Sequence, residues 1–329
     1  MRRSGCKKTF EGLYFFVFLH SSQRKESTAM PPKQERLFPA SIRTVGLTSP
    51  ASLPDAARIA DARRFLEETC DVKTVLAPGA LKRGPMKYCC GTPESRLADF
   101  HALLNDPRID LILCTRGGFG SAHILPELDF DLLRERDLPV YGYSDISALH
   151  LAMLAKQAGI PVCAPMADGL PEAMARPAAR ESFRTVLRKR TAPRKLRLIP
   201  VEGSPDETVT GPLVLSNLTV MTTLCGTPWM PGLNGCILAL EDVHEEARVL
   251  DRHLTHLVQT GIIAQTAAVV FGYFTKCGPK PQIRRLLRDF AAQTGKPVFR
   301  GLAFGHEHPK CAYRCGEPAG IIPVKQAKA

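Results

Sequence analysis

The stretch LPVYGYSDISALHLAMLAKQAG, residues 138–159, decides how the chain folds. LPVYGYS is a short apolar run of strand length, and DISALHLAMLAKQAG is a helical pattern. Ile146, Leu149, Met153 and Leu154 fall at i, i+3, i+7 and i+8, the spacing of a buried stripe, and Gly159 is placed to end the helix. Ser144 stands at the seam. A serine there can cap the helix by accepting an N–H hydrogen bond. It can also be aimed above the sheet by a sharp strand-to-helix turn, next to the unpaired N–H groups and positive dipole end of the first turn, as in a nucleophile elbow.

The neighbouring segments repeat the strand-then-helix order. IRTVGLTSPAS (42–52) reads as a strand ending in a Ser/Pro turn, and PDAARIADARRFLEETC (54–70) as a helix. ESRLADFHALLNDP (94–107) reads as a second helix, and RIDLILCT (108–115) as a strand apolar throughout, as a doubly covered strand must be. RGGFGSAHILPEL (116–128) is a glycine-rich loop opening into a helix. The expectation is an α/β protein with an N-terminal doubly wound parallel sheet.

After about residue 190 the pattern changes. Pro and Gly thicken in PVEGSPDETVTGPL (200–213), and the strands GCILALEDV (235–243), AAVVFGYF (267–274) and PVFRGLAFGHE (297–307) surround one long helix, EEARVLDRHLTHLVQTG (245–261). This predicts a smaller C-terminal mixed α/β domain over 191–329, following a domain over 36–190 with its linker helix and a disordered extension over 1–35. Ligands of open parallel sheets lie beyond the carboxyl ends of the strands, so the active site is expected in the cleft between the domains.

Composition narrows the function classes. The 329 residues are 44% hydrophobic and 23% charged, with a formal net charge of +12. Nine Arg or Lys lie in 175–197, where Phe183, Val186 and Leu187 keep helical spacing, so the segment reads as a solvated helix face. Without interleaved aromatics or a zinc-finger pattern, no nucleic-acid partner is expected. The apolar run Leu13–Leu19 is too short to span a bilayer, and no membrane association is expected. Folded sequence begins after Met30. The eleven cysteines form no C-x-x-C pair, and Cys114, Cys163, Cys225 and Cys236 sit within apolar runs, which fits a reducing, cytoplasmic compartment. Cys311 and Cys315 near His306 and His308 lack a second ligand pair at zinc spacing, so no metal and no cofactor is expected.

The chemistry-bearing residues lie at the ends of apolar runs. Gly117, Gly118 and Gly120 can expose approachable backbone N–H groups. GCILALEDV ends in Glu241 and Asp242, and FRGLAFGHEH delivers His306 after a glycine. A serine, an acid and a histidine are the parts of a base-activated nucleophile: Ser144 would attack, His306 would take its proton, and Glu241 would hold the imidazole. Each also has a plainer reading, as a cap, a surface histidine or a helix-leading acid. Asp242, Glu245 and Glu246 suit a helix start, His123 and His150 lie inside helical patterns, and His244 and His308 compete for the role of base. Arg116, beside the glycine loop, is the candidate for binding a substrate carboxylate.

The segments TRGGFGSAHILPELDFDLL, YGYSDISALH, GTPWMP, ILALEDVHEEARVLDRHL and GLAFGHE occur in the order seen in the LD-carboxypeptidases, a serine peptidase family that includes muramoyltetrapeptide carboxypeptidase. The resemblance runs from about Ile42 to about Ile322. It implies a two-domain, metal-independent enzyme with Ser144, Glu241 and His306 as triad. The oxyanion donors it implies are the N–H of Asp145 and of Gly117 or Gly118. It further implies a homodimer that removes the terminal D-alanine of cytoplasmic murein tetrapeptides, cutting after the L-centre of a diamino acid. A relative instead cleaves a peptidyl-nucleotide antibiotic and confers self-immunity; that substrate is one alternative, and a non-catalytic binder of an anionic ligand is another. The chain departs from the family at Leu215-Ser216-Asn217, where Gly-Gly-Asn is common in a loop expected to line the crevice, at Ser147, where threonine is common, and at YRCGEP (313–318). Asn217 is kept and is a candidate substrate-binding residue.

Overall fold

Residues 36–188 and 190–325 are described by a computed structural model; the expected extension over 1–35 lies outside the described residues. The first strands are β1 (Thr44–Thr48), β2 (Lys73–Leu76), β3 (Leu111–Cys114), β4 (Pro139–Gly142) and β5 (Ile160–Cys163). They form a parallel sheet in the order β2-β1-β3-β4-β5. Both faces are covered. Leu111 and Leu113 of β3 pack with Ile59, Ala62 and Leu66 of the helix Ala56–Thr69. Their neighbours Ile112 and Cys114 face the opposite way, toward Phe100, Leu103 and Leu104 of the helix Pro93–Asn105. This two-residue alternation, apolar on both sides, is why RIDLILCT carries no polar residue at its centre.

The second half holds β6 (Arg194–Pro200), β7 (Val209–Asn217), β8 (Ile237–Val243), β9 (Ala268–Thr275), β10 (Val298–Arg300), β11 (Tyr313–Arg314) and β12 (Pro318–Pro323). Six of these close into a barrel in the order β10-β6-β12-β7-β8-β9. Closure leaves no edge strand, a feature that the expectation of a mixed α/β domain did not specify. Alternation again sorts the side chains: Leu213, Leu215, Ile237, Ala239 and Val270 fill the barrel. Val214, Leu238, Leu240, Val269 and Phe271 point outward, toward the helices Ala247–Gln259 and Lys280–Thr294. The same outer cluster includes Leu149 and Met153 of the helix Ser147–Lys156, so barrel and sheet share one apolar core.

Two local expectations change. The helix Ser147–Lys156 ends at Gln157, which takes the left-handed conformation at φ 51°, two residues ahead of Gly159. Leu215-Ser216-Asn217 is no loop. It is the last part of β7, in register with Ala239, Leu240 and Glu241 of β8, so the glycine freedom common in the family is not needed at these positions. The basic stretch resolves into the helix Pro177–Thr185 and the start of β6, with Arg190 and Arg194 both paired to Glu317. Among the described residues no helix is long and apolar enough to cross a membrane.

His150, on the buried face of the helix Ser147–Lys156, donates from Nε2 to the carbonyl of Val140 at 3.0 Å. Burial lowers its pKa from 6.5 to about 4. Between those values the unfolded chain binds a proton that the folded chain refuses, so this histidine costs stability as pH falls from about 6.5 toward 4. His150→Gln keeps a donor for Val140 and removes the titration. Urea midpoints measured from pH 7 to pH 4 are expected to fall less steeply for the variant than for the parent; parallel curves would refute the assignment.

Candidate active site

The cap reading of Ser144 fails on geometry. Ser144 opens a short 3₁₀ turn, Ser144–Ile146, and neither this turn nor the helix Ser147–Lys156 carries a side-chain cap. Its backbone is left-handed, φ 63°, a conformation rare for a residue with a side chain and a mark of sharp strand-to-helix elbows. The hydroxyl is thereby turned away from the helix axis, and Ser144 Oγ lies 3.1 Å from His306 Nε2.

The turn is possible because Gly117, on the loop after β3, has no side chain. A Cβ there would lie 2.9 Å from the Cβ of Ser144 and 3.2 Å from its Oγ. Gly118 is held open in the same way: at φ 109° a Cβ would run into Ser52. The buried guanidinium of Arg96 fastens this loop by donating to the carbonyls of Cys90 and Gly120. The Asp145 side chain accepts from Ser121 N at 2.8 Å, and the Ser121 hydroxyl donates to the Asp145 carbonyl at 2.6 Å. Glycine loop and elbow are thus one hydrogen-bonded body.

His306 and Glu241 arrive by less regular routes than the sequence suggests. β10 ends at Arg300, and His306 sits in the irregular segment that follows it. That segment is held against β9: Tyr273 N donates to the Phe304 carbonyl at 2.9 Å, and Gly301 N to that of Phe271 at 3.2 Å. Gly272 permits the contact, since a Cβ there would lie 2.4 Å from the Phe304 oxygen. Glu241 is inside β8 rather than at its end, at a register shift where Leu240 pairs with Phe271 but Asp242 with Phe274. By alternation it shares the inward face of Ile237 and Ala239, so its carboxylate stands at the mouth of the barrel.

Glu241 is fully buried. Burial pushes its carboxyl above the ordinary range, and the hydrogen bonds from His306 and Asn217 work against that rise. Glu241 Oε2 is 2.7 Å from His306 Nδ1. A carboxylate only accepts, so Nδ1 carries the proton, and Nε2 of the neutral ring is left to accept from the Ser144 hydroxyl. The three side chains form one chain of hydrogen bonds running from sheet to barrel. Gly305, at φ 119°, leaves room for it, because a Cβ would lie 2.9 Å from Glu241 Oε2.

The other expected residues fall in different places. Asn217 is buried, and its amide is fully committed within the protein. Nδ2 donates to Glu241 at 3.2 Å and to Asp242 at 2.9 Å, while Oδ1 accepts from Val220 N at 3.0 Å. It therefore braces the acid instead of facing a ligand. Its backbone N–H donates to Ser147 Oγ at 3.0 Å, joining the barrel to the elbow helix. Arg116 is exposed, and among the described residues its hydrogen-bond partner is the Leu53 carbonyl, at 3.4 Å. His308 is exposed beside Lys310, and His244 lies on the turn after β8. Among the described residues no group of three His, Cys, Asp or Glu side chains is placed to hold a metal ion. Sequence reasoning passed over Tyr143, whose ring centroid is 5.0 Å from that of His306, and Lys310, whose Nζ donates to the Tyr143 hydroxyl at 2.8 Å. It also passed over Arg96 and Asp168. Only the position of Tyr143 beside Ser144 could have drawn attention to any of them.

Residues 45–164 match the profile of an LD-carboxypeptidase N-terminal domain, and residues 210–321 that of an LD-carboxypeptidase C-terminal domain. The chain belongs to the LD-carboxypeptidase family. It is 30% identical to a probable murein peptide carboxypeptidase of Bacillus subtilis, over 84% of this chain and 88% of that protein. It is 26% identical to the microcin C7 self-immunity protein MccF of Escherichia coli, over 71% of this chain and 77% of that one. In three dimensions it is similar to the muramoyltetrapeptide carboxypeptidase of Oxalobacter formigenes, with a TM-score of 0.74 at 23% identity, covering 84% of this chain and 94% of that chain. This LD-carboxypeptidase keeps the two-domain α/β fold of its structural neighbours.

Gly117→Ala tests how tightly the elbow is packed. The added methyl group must displace Ser144, and a misplacement of about 1 Å costs on the order of 10²-fold in rate. Carboxypeptidase turnover is expected to fall at least that far while the unfolding free energy from urea titration stays within about 1 kcal/mol of the parent. Parent-like turnover would show that the loop yields.

Proposed function

We propose that the protein is a serine carboxypeptidase that hydrolyses the L,D-peptide bond releasing the terminal D-alanine of a murein tetrapeptide. The observation that carries this reading is the two-ended hydrogen bonding of His306, with Glu241 on Nδ1 and Ser144 on Nε2. Nε2 takes the hydroxyl proton as Ser144 Oγ attacks the scissile carbonyl carbon. The resulting imidazolium is stabilised by the buried Glu241 carboxylate and returns the proton to the leaving amine of D-alanine. The acyl-enzyme is then hydrolysed by a water activated by the same imidazole.

The tetrahedral oxyanion would be met by backbone N–H groups. Asp145 lies in the first turn of the 3₁₀ segment, where N–H groups have no partner within the helix. Gly117 and Gly118 lie on the loop packed against Ser144, and one such donor is worth about 10²- to 10³-fold. The murein-peptide substrate is supported by the Bacillus subtilis relative. A reducing cytoplasmic setting is supported by the cysteines, since the ten in the described residues are all free.

MccF, whose structure is known in complex with glutamyl sulfamoyl guanosine, keeps the alternative of a peptidyl-nucleotide substrate in view, for which the same three side chains would serve. Purified protein incubated in parallel with a diaminopimelate-containing tetrapeptide and with a peptidyl-nucleotide, followed by mass spectrometry, separates the two. Free D-alanine from the tetrapeptide is expected; nucleotide release alone would replace the reading. Ser144→Ala, His306→Ala and Glu241→Gln are each expected to lower D-alanine release by at least about 10³-fold without loss of fold by circular dichroism. Full activity in the His306 variant would remove that residue from the mechanism.

A further inference from the structure

The tail of the basic stretch 175–197 borders a cavity of about 700 Å³ that the catalytic residues do not use. Arg188 and Arg190 contribute from the connection between the helix Pro177–Thr185 and β6. Met153 and Leu154 contribute from the last turn of the helix Ser147–Lys156, and Pro161 from β5. The turn between β11 and β12 supplies Arg314, Gly316 and Glu317. The cavity also takes in Gly159, ahead of β5, whereas Ser144 follows the far end of the parallel strand β4. It therefore lies at the edge of the sheet opposite the elbow.

Three arginines line this cavity against one carboxylate, Glu317. That carboxylate is already taken. It is buried, and it pairs with Arg190 at 2.9 Å through Oε1 and with Arg194 at 3.2 Å through Oε2. One carboxylate cannot neutralise two guanidiniums. Arg194, stacked 5.3 Å from the centre of the Tyr313 ring, keeps a buried Nη2 with no acceptor among the described residues. Among the described residues neither Arg188 nor Arg314 has a carboxylate partner. Between these charges the lining is apolar, from Met153, Leu154 and Pro161. Gly316, at φ 81°, keeps the space open, since a Cβ there would lie 3.2 Å from Leu154 Cδ2. Guanidiniums gathered round one recess raise its potential and concentrate anions in it.

We propose that this cavity is a second binding site, for a phosphate monoester carried on an apolar organic body. A phosphate monoester has a charge of about −2 at neutral pH, which matches the excess of guanidinium over carboxylate in the lining. Each guanidinium presents a fork of N–H donors suited to its oxygens. A single carboxylate would leave one arginine unmatched. The apolar body packs on Met153, Leu154 and Pro161, and the cavity falls within the roughly 300–1,000 Å³ of small-molecule sites. Arg188 and Arg314 grip the phosphate, while Arg190 stays with Glu317 and keeps the wall in place.

The full chain is titrated calorimetrically at low ionic strength with phenyl phosphate, inorganic phosphate and benzoate. Phenyl phosphate is expected to bind at least about tenfold more tightly than inorganic phosphate, which lacks the apolar body, and than benzoate, which carries one charge. Arg188→Gln combined with Arg314→Gln is expected to weaken phenyl phosphate at least about tenfold and to leave the urea midpoint unchanged, because neither side chain has a partner to lose. Arg248→Gln combined with Arg285→Gln removes the same net charge from two exposed helix positions and is expected to leave the affinity unchanged. Absence of phenyl phosphate binding overturns the site. So does an affinity unaltered in the Arg188/Arg314 variant, or one lost equally in the Arg248/Arg285 control. Inorganic phosphate binding as tightly as phenyl phosphate would reduce the cavity to a bare patch of charge, and benzoate binding as tightly would remove the phosphate assignment.

Discussion

A hydroxyl on one lobe must meet an imidazole on the other, and the local structure around both is arranged to permit that 3.1 Å contact. On the sheet side it requires a left-handed backbone at Ser144, a strain on the order of 1–3 kcal/mol, and a facing position with no Cβ at Gly117. On the barrel side it requires a carboxylate taken out of water at Glu241, at a cost of several kcal/mol before its hydrogen bonds are counted. Neither feature is stable by its own local preferences. Both are offset by the large apolar core that surrounds them.

The support is layered in a consistent way. Glu241 holds His306, Asn217 holds Glu241, and Asp242 holds both Asn217 and the start of the next helix through Thr219. Asn217 then reaches across to Ser147, one turn beyond Ser144. The network closes on itself between the lobes, so the geometry of the acid and that of the elbow are set by the same residues. A buried polar network of this kind, with each member paired, fixes orientation more sharply than apolar packing can.

The strands β1, β3 and β4 of the first lobe were plain from the sequence because they are apolar runs followed by helical patterns; β2, with an exposed lysine and partly exposed neighbours, and the four-residue β5 were not singled out. That Ser144, Glu241 and His306 could meet was also readable, since each follows an apolar run, and the three are hydrogen-bonded in one chain. What misled was the assumption that each residue marks a strand terminus. Glu241 is set by a register irregularity between β8 and β9, and His306 by a coil segment docked on Gly272; neither leaves a periodic trace. Asn217 looked like a ligand-facing residue because its letter says nothing about which face of β7 it occupies once the barrel closes. Barrel closure itself depends on long-range pairings such as β10 with β6, which hydrophobic patterning does not specify.

The short strand β11 pairs antiparallel with β5, so a piece of chain that follows His306 completes the edge of the first sheet. Residues 36–190 on their own would present β5 as an open edge of unpaired amides, with Cys163 and its apolar neighbours uncovered. The halves therefore behave as parts of one folding unit despite their separate architectures. During synthesis the sheet that carries Ser144 stays incomplete until Tyr313 and Arg314 have emerged, and the contact between Ser144 and His306 forms only once both halves are present.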